Sequence, residues 1–279
     1  MTQNQKTSPV SIYAISSGKG GVGKTNVVLN LAIALADMGR RVMIVDADLG
    51  LGNLDVLLGI SPTFSLADVL LKRCGLEEAL VEGPQGIKIV PADSGTEAFT
   101  RLNTGDMIYT FSLFQQLKEE ADTILIDTAS GISSNVQFFS SFAHQVILIV
   151  TPEPTSITDA YATIKVLNRK NGEKDFGLMI NMVDSEQQGL EVYETLCNAA
   201  EHFLKIRPAY MGFIYKDRNL KKAVCKQQPL MIFNPDSAAC NNFRLLAKTL
   251  ETKREALQKN TDDYKNGLSQ ALCSQHGLG

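Results

Sequence analysis

The segment Gly18-Lys19-Gly20-Gly21-Val22-Gly23-Lys24-Thr25 constrains this chain more than any other. Its glycines let successive backbone N–H groups turn inward around a polyphosphate, Lys24 is placed to reach β- and γ-phosphates, and Thr25 offers a hydroxyl to Mg²⁺. Lys19 comes too early to be the ordinary phosphate lysine, so it is free to serve phosphates from outside the loop, including those of a neighbouring subunit. The flanking sequence supports the motif. Residues 10–16 (VSIYAIS) have strand character, and residues 26–38 (NVVLNLAIALADM), opened by Asn26, read as a buried helix stopped by Gly39. Strand, loop and helix follow in the order that places an anion at a helix N-terminus. This arrangement implies a nucleotide-binding switch or an ATPase rather than a chance glycine turn.

Two other apolar runs end in carboxylates. Residues 42–50 (VMIVDADLG) read as a central parallel strand, buried on both faces. It delivers Asp46 and Asp48 to the C-terminal edge of the sheet, where ligands of open α/β sheets bind. Two residues apart, they point to the same side if the strand stays extended. Residues 123–127 (TILID) bring Asp127 to the same edge, followed by Thr128-Ala129-Ser130-Gly131. Three carboxylates converging on a polyphosphate require Mg²⁺ between them; the alternative is that one of them caps a helix.

Strand-like runs at 10–16, 41–46, 87–91, 123–127, 145–151, 176–181 and 209–214 alternate with helical stretches. That pattern predicts an α/β fold: a doubly wound, mostly parallel sheet of about seven or eight strands flanked by helices. A chain of 279 residues fits one such domain over residues 10–250, with a short arm at 1–9 and a helical tail at 251–279. The longest apolar strand runs are far shorter than the roughly 20 residues a bilayer demands, and the arm has no apolar signal core, so a cytoplasmic chain is expected. The cysteines Cys74, Cys197, Cys225, Cys240 and Cys273 show no CxxC pairing and His144, His202 and His276 no ligand spacing, which argues against a disulfide framework or a zinc site. A net charge of −3 argues against a surface that seeks nucleic acid as a whole. Lys216, Arg218, Lys221, Lys222 and Lys226 form a local exception. They read either as a solvated helix face or as a contact for an acidic partner or for DNA.

The KGGVGKT loop with its early lysine, the VDADLGLGNLDVLLG segment and the LIDTASG segment resemble the deviant Walker A ATPases of the MinD/ParA group. Within that group, GRRVMIVDADLGLGNLDVLLG, LADVL (66–70) and PTSITDAYATIKVLNR (154–169) look most like the flagellar-number regulators of the FleN/FlhG (YlxH) kind. The resemblance runs from about residue 10 to about residue 250. It implies a P-loop fold and slow hydrolysis of ATP to ADP and phosphate with Mg²⁺. By the same resemblance Lys19, Lys24 and Asp48 are the catalytic set: Lys19 crosses an ATP-dependent dimer interface, Lys24 holds phosphate and Asp48 orients the attacking water. Thr25, Asp46 and Asp127 would lie at the metal, and Asp127 with Gly131 would sense the γ-phosphate. Asn181 and Asp217 match positions that hold adenine and ribose in relatives, although Tyr215 replaces a usual proline.

The partners the resemblance implies are a second copy of the chain, a σ54-type flagellar transcriptional activator (FleQ-like) restrained by an anti-activator, and the GTPase FlhF. The arm MTQNQKTSPV lacks the DQAxxLR-type segment with which some relatives stimulate FlhF. The alternative is a ParA-type ATPase that positions DNA or cargo with the same nucleotide residues. An iron-protein-like reductase is disfavoured by the cysteine spacing. MinD relatives often end in an amphipathic membrane-binding helix, which would recruit the chain to the inner membrane surface or the cell pole. Here Leu257, Tyr264, Leu268 and Leu272 recur at helical intervals, but Gly267 interrupts them and the acids and bases of 251–279 balance.

Overall fold

Two apolar faces, rather than one, organise this chain around its sheet. A computed structural model describes residues 10–49, 52–92, 104–171 and 175–255. The chain runs β1 (Ser11–Ser17), α1 (Lys24–Ala36), β2 (Val42–Ala47), α2 (Leu54–Leu58), α3 (Leu66–Leu70), α4 (Leu76–Ala79), β3 (Val81–Glu82) and β4 (Lys88–Val90). It continues through α5 (Thr104–Glu120), β5 (Thr123–Ser130), α6 (Ser134–Ser141), β6 (Gln145–Val150), α7 (Pro154–Asn171), β7 (Asp175–Val183), α8 (Glu186–Leu204), β8 (Ala209–Tyr215), α9 (Arg218–Cys225) and α10 (Leu230–Phe233). A last helix, α11, occupies 238–255. The arm 1–9, the tail from 256 onward with Leu257, Tyr264, Gly267, Leu268 and Leu272, and Gly50, Cys273 and His276 lie outside the described residues.

The strands form one eight-stranded sheet in the order β3-β4-β2-β5-β1-β6-β7-β8. All its pairings are parallel except β3 with β4. Because the central strands are covered on both sides, alternate apolar residues feed different cores. Ile12 and Ala14 of β1 join the cluster under α3, α5, α6, α7 and α8, whereas Tyr13 and Ile15 join the cluster under α1, α10 and α11. The doubly wound expectation holds. Most strands shift by only a residue or two from their expected bounds. The short antiparallel β3 at the sheet's edge was not expected, because two residues carry no periodicity and their pairing depends on the return through Gly83–Ile87.

β1 sits between β5 and β6, so the chain leaves it in one direction to build β2–β5 and returns on its other side for β6–β8. That reversal opens a crevice at the carboxyl ends of the strands, where residues 18–23 emerge. At the opposite end α11 is pinned by charge. Arg40, between α1 and β2, contacts Glu251, and Arg254 approaches the same carboxylate at 3.4 Å. Glu251 and Arg254 are buried, yet Glu251 Oε2 and Arg254 Nε have no well-aligned hydrogen bond. Removing one member of such a cluster strands the others without compensation. Glu251→Ala is therefore expected to cost about 3 kcal/mol, read as a lowered urea midpoint with an unchanged slope.

Candidate nucleotide site

β1 hands over to α1 through a loop whose backbone only glycine can follow at two points. Gly21 and Gly23 have φ of +79° and +85°, and Gly23 is also the N-cap of α1. With no side chain capping it and no acid in its first turn, α1 presents free N–H groups and the positive end of its dipole to the crevice. The loop is packed tightly. A Cβ on Gly18 would lie 2.3 Å from the carbonyl carbon of Asp159 in α7, and one on Gly23 would lie 2.7 Å from Asn181 Nδ2. Lys24, Thr25 and Asn26 occupy the first turn of α1, where Thr25 has no hydrogen-bonding partner for its hydroxyl among the described residues.

Behind the loop lies a buried charge cluster. Lys24 is 8 % exposed, Asp127 1 % and Asp46 2 %. The Lys24 ammonium is ion-paired with Asp127, and Asp127 stands opposite Asp46 in the β2–β5 register. Burial, and then the neighbouring Asp127, push Asp46 well above the usual carboxylate range. Asp46 Oδ1 accepts the Asp48 N–H at 3.1 Å. Asp48 lies just beyond the end of β2 and is partly exposed; burial raises its pKa, Lys24 lowers it and Asp127 raises it. Asp46 and Asp127 thus stand side by side on neighbouring strands, with Asp48 next along the chain. Among the described residues no three His, Cys, Asp or Glu side chains group so as to hold a metal ion. Asp127 is paired with Lys24, and Asp48 follows the end of β2 with its N–H bonded to Asp46. Mg²⁺ at a polyphosphate ordinarily takes much of its shell from phosphate and water, with one or two protein oxygens, so a three-carboxylate cage is unnecessary.

The other expected site residues are placed less uniformly. Lys19 lies at the loop's mouth but folds onto its own chain: its ammonium pairs with Glu153 and donates to Thr155 Oγ1 at 3.0 Å. Sequence reasoning missed both partners. Their segment follows β6, and only the β1–β6 pairing reveals that it adjoins the loop. The Gly131 N–H donates to the Ser17 carbonyl at 2.8 Å, so the sensing loop after β5 is tied to β1 here. Asn181 Nδ2 donates to the Val22 carbonyl at 2.8 Å while its Oδ1 accepts the Met182 N–H at 2.9 Å. It thus braces the phosphate loop, and Met182 takes a left-handed φ of +61° beside it. Asp217 caps α9, its Oδ1 accepting the Asn219 N–H at 2.7 Å. Asn181 lies within β7 near its carboxyl end and Asp217 just past the end of β8, but here their polar atoms serve the protein itself.

Residues 13–230 match the CobQ/CobB/MinD/ParA nucleotide binding domain. The chain belongs to this family. It is 44 % identical over 252 residues to the antiactivator FleN of Pseudomonas aeruginosa, covering 90 % of each chain. It is 34 % identical over 243 residues to the flagellum site-determining protein YlxH of Helicobacter pylori, covering 87 % of this chain and 82 % of the relative. Among solved structures, the septum site-determining protein MinD of Pyrococcus horikoshii complexed with Mg-ADP matches with a TM-score of 0.71 at 25 % identity, over 86 % of this chain and 96 % of that one. The MinC:MinD cell division complex of Aquifex aeolicus gives 0.72 at 27 % identity, over 87 % and 96 %. This MinD/ParA-type protein is a P-loop ATPase. Its uncapped α1 and glycine loop suit a polyphosphate, and among the described residues no helix is long and apolar enough to cross a membrane.

Packing of the loop against α7 gives a stability test. Gly18→Ala must push α7 away and should cost about 1–3 kcal/mol. Gly20→Ala, whose Cβ would meet only Ser130 Oγ at 3.6 Å, should leave the melting temperature of the nucleotide-free ATPase unchanged. Asp46 supplies a pH test. Its raised pKa means that folding favours the protonated form, so its contribution is full below the ordinary carboxylate pKa and is lost as pH rises through the raised value. Asp46→Asn keeps an acceptor for the Asp48 N–H without the charge. Its urea midpoint should exceed that of wild type at alkaline pH, and the difference should vanish as pH falls toward about 4.

Proposed function

We propose that this ATPase is a dimerising switch that controls flagellar number and placement by binding a σ54-type flagellar transcriptional activator as an anti-activator. The observation that carries this reading is the likeness to the antiactivator FleN, 44 % identical over 90 % of both chains. The likeness to the flagellum site-determining YlxH supports it. One domain over 10–250, with the remaining residues as an arm and a tail, suits a switch of this kind.

The site residues have roles that the geometry supports. Lys24 would exchange Asp127 for phosphate oxygens, moving a buried ammonium from one anion to another without exposing it. Thr25 would hold Mg²⁺, with Asp46 and Asp127 behind it, and the ion would supply charge neutralisation for the polyphosphate. Asp48, at the partly exposed rim, would orient the attacking water, and a lone carboxylate in that role fits slow turnover. Lys19 would leave Glu153 to meet the phosphates of a facing subunit. An exposed ion pair of this kind is worth less than about 1 kcal/mol, so a water-excluding contact with triphosphate outweighs it. Gly131 would release Ser17 to sense the γ-phosphate, and Asn181 and Asp217 would border the base and ribose.

Multi-angle light scattering with ATP tests the switch. Wild type and Asp48→Ala should dimerise, the variant persistently because it fails to hydrolyse. Lys19→Ala should bind ATP but stay monomeric, and Lys24→Ala should lose ATP binding by calorimetry. A Lys19→Ala protein that dimerises like wild type would sink the proposal, as would an ATP-bound dimer that fails to retain the flagellar activator when wild type is mixed with it.

A further inference from the structure

The basic stretch after β8 frames a cavity. α9 and α10 flank an open hollow of about 330 Å³ lined by Lys221, Lys222, Cys225, Lys226 and Phe233. The accessible wall is almost entirely apolar, so the lysine stems, the cysteine and the phenylalanine ring form it while the ammonium groups stand in water at the rim. Lys221, Lys222, Cys225 and Lys226 are exposed, and Phe233 is half-buried. Among the described residues none of the three lysines has an ion-pair partner. The nearest acid in sequence, Asp217, is engaged as the cap of α9. Positive charge therefore accumulates here on a chain whose net charge is −3.

The cavity is preformed. Lys226 N–H donates to the Lys222 and Ala223 carbonyls, Gln228 N–H to Ala223, and Phe233 N–H to Pro229. Gln227 turns the chain with φ +53° and anchors to α2 through a 2.9 Å bond from Nε2 to the Val56 carbonyl. α10 is held to α1 by a buried bond from Met231 N–H to Asn30 Oδ1 at 2.8 Å. An apolar hollow bordered by ammonium groups selects its occupant. A nucleic-acid backbone would use the charge but not the hollow, and a membrane surface suits a protruding apolar side chain better than a recessed one. A peptide with one bulky apolar residue between carboxylates uses both.

We propose that the α9–α10 cavity docks an acidic peptide segment of a partner protein, which inserts an apolar side chain against Phe233 while its carboxylates meet Lys221, Lys222 and Lys226. The inference rests on the reading that this ATPase acts through a protein partner. None of the lining residues belongs to the phosphate loop, so ATP binding and peptide binding fail separately.

The test uses the full chain and a fluorescein-labelled synthetic peptide with a Leu-Phe pair flanked by Asp and Glu, followed by fluorescence anisotropy. Wild type should bind it, with affinity falling as salt rises. The triple variant Lys221→Glu/Lys222→Glu/Lys226→Glu, and Cys225→Phe, which fills the hollow but keeps the charge, should each weaken binding by about tenfold or more while binding ATP normally. Peptides with Ala for the apolar pair, or with Asn and Gln for the acids, should lose affinity similarly. Bound peptide should also shield Cys225 from iodoacetamide, as mapped by mass spectrometry. No binding to wild type, or equal binding to the variants, would overturn the proposal. So would random duplex DNA or phosphatidylserine vesicles that bind wild type, are lost with the triple variant and are indifferent to Cys225→Phe.

Discussion

The buried ammonium of Lys24 against the carboxylate of Asp127 is the contact around which the nucleotide edge is built. It joins the first residue of α1 to β5, adjacent to the strand that launches the phosphate loop. Three charged side chains, Lys24, Asp127 and Asp46, are withdrawn from water together. That concentration is tolerable because the ammonium neutralises one acid and the other is driven toward its protonated form. Such a cluster favours a ligand that brings its own negative charge for Lys24. The fit to a polyphosphate thus follows from the same electrostatics that shape the protein interior.

Several polar groups that would serve nucleotide are satisfied within the chain. Lys19 is held by Glu153 and Thr155, Gly131 by Ser17, Asn181 by Val22, and Asp217 by the first turn of α9. These contacts differ in cost. The Lys19 pair is exposed and weak, whereas the Asn181 amide is buried and its loss would leave an unpaired group. The exposed lysine is therefore the contact best suited to exchange in a switch, and the asparagine is better suited to keep the loop in shape. α7 carries Thr155 and also packs its Asp159 backbone against Gly18, so one helix touches both the loop's glycine frame and Lys19.

The α9–α10 cavity reaches the nucleotide edge through covalent neighbours rather than through shared residues. Asp217 caps the helix that bears the lysines, and Gln227 ties the following turn to α2. α2 itself begins a few residues after Asp48. The hollow and the nucleotide edge are thereby mounted on adjoining segments with separate side chains.

The amino-acid sequence by itself determined the phosphate loop, the α/β class and the acids at the strand ends. These depend on local rules: glycine where φ is positive, a continuous apolar run where a strand is covered on both faces, and a carboxylate placed where that run stops. It also supplied Lys19 and the lysine-rich stretch as charges without partners. Tertiary structure decided what those charges meet. Glu153 lies at Lys19 because β6 pairs with β1, Asn181 reaches Val22 because β7 lies one strand further, and Asp46 faces Asp127 because β5 inserts between β2 and β1. The edge strand β3 and the hollow between α9 and α10 were equally illegible. Each arises from strand order or a chain reversal, where contacts between distant segments outweigh any preference that a short window of residues can express.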